Sequence, residues 1–344
     1  MELDIKHQPA AHCENGTISS LLRFYGIELS EPMIFGLASG LYFTHVPWMR
    51  VNNLPLTSFR YFPGVLFRRI TKILGIKSET RRFINKEHAM AQLDRVLLKE
   101  HKPVGCVVGM YYLPYVPIEY RFHFNGHNIC IIGKDEETGD YSVLDTNTTQ
   151  KVTISRKNLL RVRFAKGGSY PTMGQMYWMK SVPKQLPDLN PLILKAIHKT
   201  CKEMLSEPPF FPYIGARAIF YLARRMRTWE QKHGPRGAIL NLAQVIRMLE
   251  EIGTGGAGFR FIYGAFLQEA AERTGIDELN TFSKRITDIG DLWREFAYKG
   301  SRIIKQRRKG AQFTYDDLAD LLEQIGQQER NFFRELDALV SQYC

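Results

Sequence analysis

Cys13, His127 and Asp145 are the residues of this 344-residue chain whose types and placement could perform nucleophilic chemistry together. Cys13 stands in "HQPAAHCENGTISSLLRFYG" (residues 7–26), just ahead of apolar residues at helical spacing. A cysteine at a helix start lies where unpaired backbone N–H groups and the helix dipole favour the thiolate. The same N–H groups are natural donors to an oxyanion. A thiol nucleophile then needs a base, and the base needs an orienting group. His127 opens the strand-like run "GHNICIIG", and Asp145 ends the next one, "SVLDT". If the two strands pair antiparallel through the turn at 135–140, the start of the first lies beside the end of the second. Asp145 can then hold one imidazole nitrogen while the other faces Cys13. A cysteine on a helix with histidine and acid on adjacent strands is the arrangement of a papain-like site.

Each residue also has an ordinary reading. A near-terminal cysteine is most often a small buried hydrophobe, a histidine at a strand start is usually structural, and an aspartate after a strand is usually turn chemistry. Their order and spacing together favour catalysis. His12 and His123 are rival bases; His12 ranks lower because neighbouring side chains diverge at a helix start, and His123 suits the rim of a site or solvent. Gln8, His12, Glu14 and Asn15 are the neighbours placed to meet an oxyanion or substrate, with Gln8 able to donate its amide. Five cysteines (13, 106, 130, 201 and 344) without a CxxC pair fit neither a disulfide framework nor a structural zinc site. No metal and no cofactor is called for.

The elements that must position these residues follow from the pattern. "GTISSLLRFY" (16–25) is a helix that Gly26 can terminate, and Ser30 and Pro32 fit the start of a second one. Residues 39–67 are aromatic-rich and broken by Pro47, Pro55 and Pro63, which predicts a long loop or lid. "KEHAMAQLDRVLLKEH" (86–101) is an amphipathic helix. Runs at 104–113, 127–135, 139–146 and 150–155 are β-branched and aromatic, an antiparallel meander after helices. From about 192 the chain is helical almost throughout. "IGTGGAGFRF" (252–261) tempts a nucleotide-binding reading, but a helix precedes it and no Walker lysine follows, so it is a glycine hinge between helices. The expected architecture is α+β, a papain-like domain over 1–182 followed by an all-helical domain over 183–344.

Hydrophobic residues at 44% support a real core, and no apolar run approaches the ~18–20 residues of a membrane span. The opening "MELDIKHQPA" has no apolar signal region, so a cytoplasmic protein with reduced thiols is expected. The net charge of +12 leans toward the first half, with clusters at 68–69, 81–82, 224–227 and 305–309. Such patches suit an acidic protein, an anionic membrane surface or a solvated helix face. No zinc finger, helix-turn-helix or aromatic RNA-binding motif is present, so nucleic acid is not an expected partner. The stretch "VLFRRITKILGI" (65–76) is basic and amphipathic, compatible with a membrane surface or with a lid on its own core.

"AAHCENGTISSLLRFYGIELSEPMIFGLASGLYF" resembles the N-terminal domain of the butirosin biosynthesis protein H family, as does "GHNICIIG…YSVLDT". The second half, through "IGTGGAGFRFIYGAFLQEAAE" and Trp293, is similar to the helical domain that accompanies it. The resemblance implies a papain-like acyltransferase. An acyl group would pass from an acyl carrier protein thioester to Cys13, and then to an amine or hydroxyl acceptor of small-molecule or lipid-like character. It also implies His127 as base and Asp145 as its orienter. The domain is similar too to bacteriocin-processing cysteine peptidases, which carry a glutamine six residues before the cysteine; here His7 holds that position and Gln8 follows. Two other readings keep the same residues: a cysteine hydrolase (thioesterase or peptidase) with water as acceptor, and a noncatalytic protein that docks a carrier protein or membrane.

Overall fold

The computed structural model describes residues 1–51, 53–166, 171–305 and 313–343. The chain opens with helix α1 (Cys13–Phe24), which Tyr25 and Gly26 end, Gly26 at φ +73°. In that left-handed conformation a side chain would be strained, hence glycine. Helix α2 (Glu31–Leu37) follows, its Met33 N–H held by the Ser30 hydroxyl at 3.0 Å. Next comes an antiparallel hairpin, β1 (Leu41–Val51) with β2 (Leu54–Arg60).

The expected loop at 39–67 is therefore a hairpin plus the start of a helix. Its prolines are tolerated for positional reasons. Pro47 falls in the register shift between Val46 and Arg50, and in a two-stranded sheet both strands are edges, so the missing N–H at Pro55 leaves no central ladder broken.

Helix α3 (Val65–Ile73) starts after Pro63. Its apolar side, Leu66, Phe67 and Ile70, is buried, so this basic stretch has already covered the face an interfacial helix would present to lipid. Strand β3 (Lys77–Arg81), helix α4 (Lys86–Asp94) and a π-turn at 95–99 lead to β4 (Val104–Val108), β5 (His127–Lys134), β6 (Tyr141–Leu144) and β7 (Val152–Ile154). Helix α5 (Arg156–Arg163) and strand β8 (Met176–Ser181) complete this part. Among the described residues the strands form one six-stranded antiparallel sheet, in the order β3-β8-β4-β5-β6-β7.

Strand alternation gives the sheet two apolar faces. Val104, Cys106, Val108, Ile129 and Ile131 pack with Met90 and Leu93 of α4 and Leu159 and Val162 of α5. The alternate residues, including Asn128, belong to the face where α1 packs on β5 and β4.

Helices α6 (Leu189–Met204), α7 (Gly215–Met226), α8 (Trp229–Glu250, kinked at Gly234), α9 (Arg260–Thr274), α10 (Glu278–Lys305) and α11 (Tyr315–Val340) make up the rest. The chain divides into two compact units, residues 1–34 with 63–187 and residues 35–62 with 188–344. The linear division at 182/183 thus misses the hairpin, whose Phe43 and Phe59 rings lie 5.7 and 5.2 Å from Trp293. Proline spacing alone cannot reveal so distant a packing partner.

In the second unit the segment 251–259 lies between α8 and α9 without a strand. A Cβ on Gly258 would come within 2.3 Å of the Phe59 ring, so glycine is required by packing. Arg260, fully buried, forms a two-pronged ion pair with Glu329 at 2.9 Å on each arm, and the Trp293 indole N–H donates to Glu329 at 2.7 Å. Removing one partner of such a pair typically costs about 3–5 kcal/mol. The basic cluster at 305–309 falls, apart from Lys305, outside the described residues, as does Cys344. No helix among the described residues is long and apolar enough to cross a membrane.

Candidate active site

Cys13 is the first residue of α1 and belongs, like every residue of the site, to the first unit. The His12 side chain makes no cap hydrogen bond, and the α1 N-terminus, the positive end of the helix dipole, lies at the thiol. The approach to the helix is fixed from elsewhere: the Glu31 carboxylate accepts from Ala11 N–H at 2.9 Å and His12 N–H at 2.7 Å. Burial raises the Glu31 carboxyl, and these two N–H donors partly oppose the rise. On its other flank, Glu14 is buried and accepts from Gly64 N–H at 2.8 Å and Phe67 N–H at 3.4 Å. A carboxylate at the start of α3 satisfies helix-end donors and complements the dipole.

His127 starts β5 and Asp145 follows β6, and the two strands pair antiparallel. The His127 Nε2 to Asp145 Oδ2 distance is 2.8 Å. The ring also hydrogen-bonds with Cys13, which leaves Nδ1 as the nitrogen for the thiol. Burial disfavours the imidazolium, but the Asp145 carboxylate and Cys13 outweigh it and lift His127 to about 10. Asp145 is held below the usual carboxylate range: burial works against ionisation, but the His127 charge and hydrogen bond prevail, with help from Asn147 N–H at 3.0 Å and the Tyr115 hydroxyl at 2.8 Å. Burial and the adjacent Asp145 push the Tyr115 phenol well up, keeping it a donor. Asp145 is fully buried, His127 is 3% exposed and Cys13 is 9% exposed, so Cys13 is the most accessible residue of the three.

Asn128 completes the surroundings. Its Nδ2 lies 3.8 Å from Cys13 Sγ and donates to Gly126 O at 3.0 Å, while its Oδ1 accepts from the Tyr177 hydroxyl at 2.8 Å. Tyr177 thereby fixes which end of the amide faces the thiol. Asn128, Tyr115, Tyr177 and Glu31 were not singled out from the sequence. A polar residue inside the apolar run "HNICIIG" was a signal for Asn128; Tyr115 sits in an irregular loop with no pattern to mark it.

The structure brings Cys13, His127 and Asp145 together. Glu14 and Asn15 are buried in the first turn of α1, and Glu14 is committed to α3. His12 is buried before the helix. Gln8 is exposed, with its Oε1 engaged by Arg23. His7 bonds the Thr148 carbonyl at 2.6 Å, in the turn after Asp145. His123 is exposed and stacks on Tyr111, centroids 4.1 Å apart.

These features define a two-part α+β protein in which a sheet-and-helix unit gathers cysteine, histidine and aspartate, and a helical unit follows. Residues 12–146 match the family described as butirosin biosynthesis protein H, N-terminal, and residues 157–336 match a domain of unknown function, DUF4872. The chain belongs to the family defined by the DUF4872 domain, and its N-terminal part is similar to the N-terminal domain of butirosin biosynthesis protein H. No curated protein matches it.

Proposed function

We propose that this protein is a papain-like cysteine acyltransferase that takes an acyl group from an acyl carrier protein thioester and delivers it to an amine or hydroxyl. The observation that carries the reading is the His127 ring held between Asp145 and Cys13. In the first step the Cys13 thiolate attacks the thioester carbonyl. The bond to the donor sulfur breaks, and the departing thiolate takes the proton from the His127 imidazolium. In the second step the acceptor attacks the acyl-cysteine; neutral His127 removes its proton and the Cys13 thiolate leaves. Exchange between sulfurs of similar basicity keeps the intermediate reactive.

Backbone N–H groups at the start of α1 and the Asn128 amide are the donors nearest the developing oxyanion, and loss of one such donor typically costs about 10²–10³ in rate. The Gln8 amide, engaged by Arg23, is a weaker candidate for that role. Burial of His127 and Asp145 favours transfer over hydrolysis, because a site closed to bulk water spares the acyl-enzyme. The acceptor is a small or lipid-like molecule, and the protein works in the cytoplasm. An exposed cluster in the second unit, Trp48, Met49 and Phe211, supports contact with a membrane surface.

Intact-mass spectrometry of the protein mixed with acyl-loaded carrier protein tests the reading. The expected result is an acyl adduct on the wild type and none on Cys13→Ala. Thioester loss at the same rate in both proteins would remove Cys13 from the chemistry, and release of free acid with acceptor present would make the protein a hydrolase.

A further inference from the structure

A cavity of about 320 Å³ in the first unit is lined by four cations, Lys86, Lys157, Arg161 and Lys166, with Tyr112 and Ala165 among its walls. None of the four has an ion-pair partner among the described residues, and the neighbouring carboxylate, Glu87, is engaged by Arg156 at 2.6 Å. Arg161 lies 4.1 Å above the Tyr112 ring, which fixes its guanidinium at the cavity wall. The next cation on α5, Arg163, turns inward instead, donating to the carbonyls of Ala89 and Gly174.

Helix electrostatics explain only part of this arrangement. Cations near the C-terminal end of a helix are favoured, which suits Arg161. Lys86 is the first residue of α4, where a cation is disfavoured, and Lys157 with Arg161 is a like-charge pair at i,i+4, also unfavourable. All four are exposed, so solvent screens their mutual repulsion, but together they leave the concavity positively charged and open to an anion. The planar guanidinium and three ammonium groups suit a phosphate oxygen cluster.

The cavity adjoins the catalytic strands. Val108 pairs with His127, the next residue Gly109 donates to Val162 O at 2.9 Å, and Asn125 donates to Ala165 O at 3.4 Å. The same 109–125 loop carries Tyr112 into the cavity wall and Tyr115 onto Asp145. From strand rise and spacing the cavity lies on the order of 10–15 Å from His127, within reach of an extended pantetheine arm.

We propose that this pocket binds the phosphate group of the thioester donor's phosphopantetheine arm, an inference that rests on the acyl-transfer reading. The phosphate anchors the arm while the thioester reaches Cys13.

Calorimetric titration of the wild type with 4′-phosphopantetheine, pantetheine and inorganic phosphate is the first arm of the test. Phosphopantetheine is expected to bind at least about tenfold more tightly than either of the others, a difference of about 1.4 kcal/mol. In Lys157→Ala/Arg161→Ala that preference should vanish while pantetheine binding stays unchanged; Lys157→Glu, a single exposed change, provides a second variant and should weaken it too. Equal binding of phosphopantetheine and pantetheine, or a preference that survives in both variants, would overturn the proposal. Inorganic phosphate binding as tightly as phosphopantetheine would make this a free-phosphate site and equally overturn it.

The second arm measures Cys13 acylation by matched acyl thioesters of phosphopantetheine and pantetheine. Tight, variant-sensitive binding without any acylation would leave the pocket standing and remove the transferase reading. Acylation indifferent to the phosphate would do the reverse.

Discussion

At the scale of single residues, the site turns on one proton. His127 carries it into neutral solution because Asp145 and Cys13 overcome the cost of burying an imidazolium, and its pKa is lifted to about 10. The folded protein therefore holds this proton more tightly than the unfolded chain, whose histidine titrates near 6.5. Protonation of His127 stabilises the fold fully below about pH 6.5, and that contribution disappears as pH rises to about 10. Asp145→Asn removes the charge that holds the proton. The melting-temperature gap between wild type and this variant is expected to be widest near pH 6 and to narrow steadily toward pH 10. A gap that does not change with pH would mean that His127 and Asp145 share a neutral hydrogen bond instead. These residue types were legible in the sequence because nucleophile, base and orienter are chemically distinctive. Of the donors around them only Asn128 left a trace, as a polar residue in an apolar run; Tyr115 and Tyr177 acquire their roles only from their three-dimensional neighbours.

At the scale of elements, the proposed catalysis depends on how closely α1 approaches the turn after β6. Gly16, on the first turns of α1, is the contact point: a Cβ there would lie 2.2 Å from Thr146 Cγ2 and 2.8 Å from Ala10 Cβ. Thr146 is the residue after Asp145, so relieving the overlap means moving Asp145 away from His127 or tilting the helix that bears Cys13. By helix propensity alone Gly16→Ala would stabilise α1 by roughly 1 kcal/mol. The packing opposes this, and overpacking a close contact typically costs about 1–3 kcal/mol. Gly16→Ala is expected to lower the rate of Cys13 acylation by about 10²-fold, the usual consequence of misplacing reacting groups by about 1 Å. It should do so with the protein still folded by circular dichroism. A fully active Gly16→Ala protein would show that the helix and the turn are free to separate. Helices α1, α2 and α4, the helical texture from about 192 and the meander β4 to β7 were readable from periodicity and turn residues, whereas α5 was not and the start of α3 fell within the expected loop. Strands β3 and β8 were not: "KSETR" is charged and half-exposed at the sheet edge, where alternation of apolar residues is not required. The hairpin at 41–60 was hidden by prolines that only an interior strand would reject.

At the scale of the whole molecule, the two-part organisation was visible as a change from strand-like to helical texture, but the exchange of residues 35–62 into the second unit was not. What the composition does state directly is charge. A net +12 creates a long-range positive potential, and the cations of the cavity beside α5 carry part of it within the first unit. Such a field speeds the encounter with an acidic carrier protein and does little for a small neutral thioester. Salt separates the two cases, because the screening length shrinks from about 10 Å at 0.1 M to about 3 Å at 1 M. Between 0.05 and 1 M salt, kcat/KM for a carrier-bound donor is expected to fall by about tenfold or more, at the lower end of electrostatic steering effects. The value for the matching pantetheine thioester should change by less than about twofold, because a neutral donor gains nothing from the field. A parallel decline for both donors would place the salt effect in the chemistry at Cys13 and His127, whereas no decline for either would mean that the carrier docks through apolar contact.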